Sequence, residues 1–145
     1  MRPNTLAQAI ERVQAGEPQD VALVEFVDSF LLASDSDARY ATLEQEPTRS
    51  EDPRLNALVA AMAEYLAKLY RLGRVPKWAS QPWRRLDEPW FVTSTPSAAM
   101  CEYLAASSPA EFRSRNIFTE ERPLRRARSH LPFTRKSATA TADAE

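Results

Sequence analysis

Glycine is nearly missing from this chain: two of 145 residues, Gly16 and Gly73. Hairpin turns and phosphate-cradling loops use glycine for backbone conformations that other residues resist. These two glycines lie too far apart to write a P-loop and are too few for a dinucleotide fingerprint, which argues against the common nucleotide-binding folds and against a β-sandwich. Cysteine is rarer still. Cys101 stands alone, so no intramolecular disulfide and no multi-cysteine zinc site can form. Ala99, Met100 and Tyr103 surround it, and a small buried hydrophobe is expected there rather than a reactive thiol. His130 is the one histidine. It has no histidine or cysteine companion at metal-ligand spacing, and it reads as a surface residue rather than half of a nucleophilic relay.

Long apolar runs are also absent. The stretch from Val21 to Ala33 is interrupted by Glu25, Asp28 and Ser29 and is too short to span a bilayer. The opening MRPNTLAQAIERVQAG lacks the apolar centre of a signal peptide, so a cytoplasmic location is expected. Net charge is −1, but it is unevenly spread. Residues 1–52 hold 4 basic and 11 acidic side chains, a net of −7, whereas residues 108–136 hold 8 basic and 3 acidic, a net of +5. Such asymmetry fits a nucleic-acid contact, an acidic partner, or attraction between the two ends of one fold.

What is present reads as helix. Thr5-x-x-Gln8 predicts a capping box, Leu6, Ile10 and Val13 share a face, and Gly16 with Pro18 predicts the stop. Asp20 is the expected cap of a second helix through VALVEFVDSFLLA, apolar enough to be central to the fold or partly covered by another chain. A short helix is expected over Asp35 to Glu44, with Tyr40 and Leu43 inward. Asp52-Pro53 opens the clearest helix, with Leu55, Val59, Met62, Leu66 and Leu69 on one stripe and Leu58, Tyr65 and Leu72 on a second. Gly73 and Pro76 are its expected end.

From Val75 to Pro96 the texture changes. VPKWASQPWRRLDEPWFVTSTP contains Trp78, Trp83 and Trp90 and four prolines, which predicts an irregular strap pinned across the helices by the indoles. Thr95-Pro96 and the Ser108-Pro109-Ala110-Glu111 box predict two further helix starts. The fold expected is all-α: a compact bundle of about five to six helices with a Trp/Pro-rich strap. It forms a single helical domain over 1–132 (N-terminal helices 1–74, strap and Arg-rich segment 75–132), and 133–145 is expected to be a disordered tail.

No catalytic constellation emerges. Asp35 and Asp37 would not share a helix face, and Asp87 and Glu88 are adjacent in a loop, so capping and solvation explain them better than general acid–base work. No enzyme, cofactor or metal is expected. The informative stretch is SPAEFRSRNIFTEERPLRRAR, residues 108–128. Its arginines can fork onto carboxylates or phosphates and stack on rings, a mixture enriched at protein interfaces. The candidate partner-binding residues are Trp90, Phe91, Phe112, Arg113, Arg115, Asn116, Ile117 and Phe118. Core closure by the same aromatics, with the arginines answering the acidic N-terminal helices, is the competing reading. Arg122, Arg125, Arg126 and Arg128 are candidates for a nucleic-acid contact, although no compact DNA-reading turn precedes them.

EPWF at 88–91, SPAEFRSRNIF at 108–118 and VPKW at 75–78 resemble a pattern in small helical bacterial proteins encoded beside nucleotidyltransferase-like toxins. The resemblance implies an antitoxin, a non-catalytic partner that covers the toxin's active cleft with its arginines toward acidic metal-binding residues. The alternative is a DNA-binding autoregulator using the basic 122–136 segment. A small hydrolase would need a deep pocket placing His130 beside a carboxylate. A membrane partner is not expected.

Overall fold

The computed structural model describes residues 2–124, and over them the fold is all-α. Six helices occur among these residues: α1 Leu6–Gln14, α2 Gln19–Leu32, α3 Ser36–Glu44, α4 Pro53–Leu69, α5 Ala98–Ser107 and α6 Ala110–Arg113. Two 3₁₀ turns, Lys77–Ser80 and Pro82–Arg84, lie in the strap. The only strands among the described residues are β1, Trp90–Phe91, and β2, Ile117–Phe118, paired in parallel with Trp90 opposite Ile117. The residues expected to form a disordered tail lie outside the described ones.

Local chemistry sets most helix ends. Thr5 Oγ1 accepts from the Gln8 amide at 3.0 Å, while the Gln8 side chain accepts from the Asn4 amide rather than from Thr5 itself. Asp35 and Asp52 cap α3 and α4 by accepting from the amides of Ala38 and Arg54. Three expected starts are corrected. Helix α2 begins before Asp20, because the Pro18 carbonyl already accepts from the Ala22 amide; Asp20 then sits in the first turn, where its charge still suits the helix dipole. The cap of α5 is Ser97, not Thr95, with its Oγ accepting from the Met100 amide. Ser108 does not cap α6, because its hydroxyl is spent on Leu104 and Thr119.

Helix α4 is the hub. Eleven of its seventeen residues are buried, including five alanines at 57, 60, 61, 63 and 67 that let neighbouring segments approach closely. Leu58, Val59, Met62 and Leu66 meet Leu6, Ile10, Leu23, Phe26, Val27 and Phe30 from α1 and α2 in one core. The 3₁₀ turns and α6 also pack on α4. The indoles hold the strap as expected: Trp78 is buried and its Nε1 donates to the Leu43 carbonyl at 3.0 Å, joining strap to α3.

The expected stop of α4 at Gly73 comes two residues too late. The Leu72 amide donates to the Ala67 carbonyl and the Arg71 amide to the Lys68 carbonyl, so Arg71 occupies the left-handed turn position (φ 54°) where glycine is usual. Leu69, expected on the buried stripe, is exposed beside this turn. Arg71 is exposed, so its Cβ gains nothing from packing. The substitution Arg71→Gly is expected to raise stability by about 0.5–1 kcal/mol in urea unfolding, after the entropy of the unfolded glycine is offset.

Candidate protein-binding site

The aromatic–arginine segment folds inward. Phe112, on α6, is fully buried and meets the Tyr65 ring edge-on at 5.5 Å. Ile117 is fully buried in β2. Arg115 is 7% exposed: Nη1 donates to Glu64 Oε1 and to the Glu111 carbonyl, both at 2.7 Å, and Nη2 donates to the Ala79 carbonyl at 2.8 Å. Asn116 takes a left-handed conformation (φ 69°), which asparagine tolerates, and its Nδ2 donates to the Leu86 carbonyl. The expectation that Phe112, Arg115 and Ile117 face a partner is therefore corrected. They clasp the returning chain onto α4 and onto the strap, because a buried guanidinium needs acceptors and this chain supplies three of them.

Charge inside the clasp is balanced. Glu64 receives Arg115 and, at 2.7 Å, Lys68. Burial pushes its carboxyl pKa up, but hydrogen bonds and charges from Lys68 and Arg115 together outweigh burial, so it titrates below the ordinary 4.5. The same hydrogen bond holds the Lys68 ammonium above its ordinary value. Burial also raises the Tyr65 phenol, assisted by the charge of Glu111.

A second inward arginine escaped the sequence reading. Arg84 is 0% exposed, with its guanidinium carbon 4.1 Å from the Trp83 ring and 4.8 Å from the Trp78 ring. Nε donates to Gln81 Oε1, Nη1 to the Asn56 carbonyl and Nη2 to the Pro47 carbonyl, with Glu46 at 3.8 Å. Burial pushes its pKa down to about 10, partly countered by Glu46. The only sequence signal was an arginine beside tryptophan in a proline-rich strap, which does not distinguish it from the exposed Arg85.

What remains outside is a different surface. Arg113 is exposed, with one guanidinium nitrogen held by the Ser108 carbonyl at 2.8 Å. Trp90, Phe91 and Phe118 are half-buried, and the last two stack with centroids 4.9 Å apart. Helix α5 packs on these strands and is tied to them at its end: Ser107 and Ser108 hydroxyls donate to the Thr119 carbonyl, and Ser108 Oγ accepts from the Thr119 amide at 2.8 Å. Of the ten residues in AAMCEYLAAS only Leu104 is buried and only Glu102 is charged. Ala98, Ala99, Ala105 and Ala106 are exposed, and Tyr103 is 55% exposed. Cys101, expected to be buried, is half-exposed. A helix that apolar and that bare has the character of an interface.

The chemistry of the hollows is plain. One of about 430 Å³ is lined by Arg49, Ser50, Glu51, Pro53, Asn56 and Trp83, and one of about 240 Å³ includes Ser80, Gln81, Arg85 and Ser114. In the first, Ser50 Oγ accepts from the Asp52 amide at 3.0 Å. No group of three His, Cys, Asp or Glu side chains is placed to hold a metal ion among the described residues. No described helix is long and apolar enough to cross a membrane. Arg122 is exposed, while Arg125, Arg126, Arg128 and His130 lie outside the described residues. Comparison of the chain with protein-family models, curated proteins and solved structures gives no match.

One outcome is expected for Arg84 and one for Glu64. Arg84→Met should cost about 1–3 kcal/mol in urea unfolding, because the Pro47 and Asn56 carbonyls lose their buried donor, and Arg84→Lys should not restore it. Glu64 has a lowered folded pKa, so its pairing stabilises the fold above 4.5 and is lost as pH falls through the folded value. The stability gap between wild type and Glu64→Gln should be full at neutral pH and shrink in acid, measured as unfolding free energy against pH.

Proposed function

We propose that this chain is a non-catalytic protein-binding module whose docking face is helix α5 with the flanking Phe91–Phe118 stack and Arg113. The observation that carries this reading is α5 itself: an apolar helix that buries only Leu104 against its own fold. Tyr103 is its natural anchor, since an amphipathic ring offers a large contact area with two rotatable bonds, and tyrosine is enriched at interface centres. Arg113 extends the face with guanidinium donors left over from Ser108.

The finer reading is an antitoxin in the bacterial cytoplasm that covers the active cleft of a nucleotidyltransferase-like toxin. Support for it is the resemblance of residues 75–78, 88–91 and 108–118, together with the exposed Arg113, whose guanidinium would suit a cleft of metal-binding carboxylates. Arg115 takes no part, since it is buried and both its Nη atoms donate within the fold. Co-expression with the product of the adjacent gene tests the pairing: growth should be restored and a stable complex should co-purify. Tyr103→Glu with Ala99→Arg should weaken that complex about tenfold or more and leave the melting temperature unchanged. Undiminished binding by this variant would remove α5 from the reading; no complex with the adjacent product would remove the toxin.

A further inference from the structure

Helix α2 has a second face that its own fold leaves open. Nine of the fourteen residues of QDVALVEFVDSFLL are apolar, and the inward set is Ala22, Leu23, Phe26, Val27 and Phe30. At 100° per residue, the opposite ridge is Val21, Glu25, Asp28 and Leu32, with Val24 and Leu31 on its flank. Val21 is 41% and Leu32 61% exposed, whereas Val24 and Leu31 are half-buried. Two open aliphatics therefore bracket two carboxylates along about three turns of one helix. Glu25 is 3.7 Å from Arg12, and Asp28 has no ion pair among the described residues. The setting is acidic as well, because residues 1–52 carry a net of −7.

We propose that this ridge docks a basic amphipathic helix from a partner chain, aliphatic side chains seating on Val21 and Leu32 and a lysine or arginine between them meeting Asp28 and Glu25. Charge complementarity selects this occupant. An apolar stripe alone would accept any greasy surface, but the central carboxylates repel nucleic acid and anionic lipid, and Asp28 would be desolvated without compensation against a purely aliphatic helix. The ridge shares no residue with α5, so the protein would hold two partners, or two segments of one, at separate helices. Positions 21, 25, 28 and 32 recur at four- and three-residue spacing, so the two aliphatics and the two carboxylates form one aligned row along the helix.

The probe is a fluorescein-labelled peptide of about five helical turns with a leucine stripe and a lysine face, titrated by anisotropy against the full-length protein. Saturable binding is expected, about tenfold or more tighter than to a scrambled peptide of the same composition. Val21→Ser with Leu32→Ser, which keeps the charge, and Asp28→Lys, which keeps the aliphatics, should each lose about tenfold, with circular dichroism unchanged. Equal affinity for the scrambled peptide would reduce the effect to general electrostatics and overturn the proposal, as would wild-type affinity in both variants. A dimer in sedimentation that Leu32→Ser abolishes would assign the ridge to a second copy instead. Tighter peptide binding when Arg125, Arg126 and Arg128 are all changed to Glu would assign it to the chain's own basic segment, which also overturns a separate partner. Tyr103→Glu should bind the peptide like wild type, so failure at α5 and failure at α2 are told apart.

Discussion

A helix buried on nearly every side cannot be satisfied by its sequence neighbours, and α4 imposes that requirement on the whole chain. Its alanines let the 3₁₀ turns of the strap and α6 approach closely. Helices α1 and α2 fill one flank with aliphatic and phenylalanine side chains, while the strap and α6 must be brought to the others from later in the sequence. Two guanidiniums do that work. Arg84 binds the strap to the Asn56 carbonyl on α4 and to the Pro47 loop, and Arg115 binds the returning segment to Glu64 and to the strap at Ala79. A planar fork with several donors can join segments in this way; a lysine's point charge cannot.

This arrangement reassigns the charge asymmetry along the chain. Part of the positive excess after residue 108 is internal, because Arg115 answers a carboxylate on the hub helix and not a ligand. Part of the negative excess before residue 52 stays outside on α2 and α3. The segment that looked most like an interface is thus a clasp: it fixes β1 against β2, on which α5 packs with its outer face bare. The residues of the clasp and the bare face of α5 are adjacent but separate.

The legible parts of the fold are those whose causes are local. Asp35, Asp52-Pro53, Gly16 and the spacing of Leu6 and Ile10 act within one or two turns, and each element they predicted is present. Ser108 misled because its capping-box spacing was satisfied, yet a tertiary partner, Thr119, competed for the same hydroxyl and won. Arg71 was invisible for a related reason: the C-terminal turn of α4 is fixed by where the strap must depart, and a nearby glycine drew the expected stop to the wrong place. The fate of Arg115 was settled by Glu64, 51 residues earlier, and that of Arg84 by carbonyls 28 and 37 residues earlier. No spacing rule reaches that far. The bareness of α5 was unreadable too, since an alanine-rich helix looks the same in sequence whether it is core or surface.

Native-state hydrogen exchange tests the division between the clasp and the proposed docking helix most directly. The amides of Trp90 and Val92, which donate to Asn116 and Phe118, and that of Thr119, which donates to Ser108, should exchange only with global unfolding, together with Leu58 and Met62 of α4. Amides along the outer turns of α5, at Glu102 and Tyr103, should exchange through a smaller opening, well before them. Early exchange of Trp90, Val92 and Thr119, or α5 amides as slow as those of α4, would contradict the account.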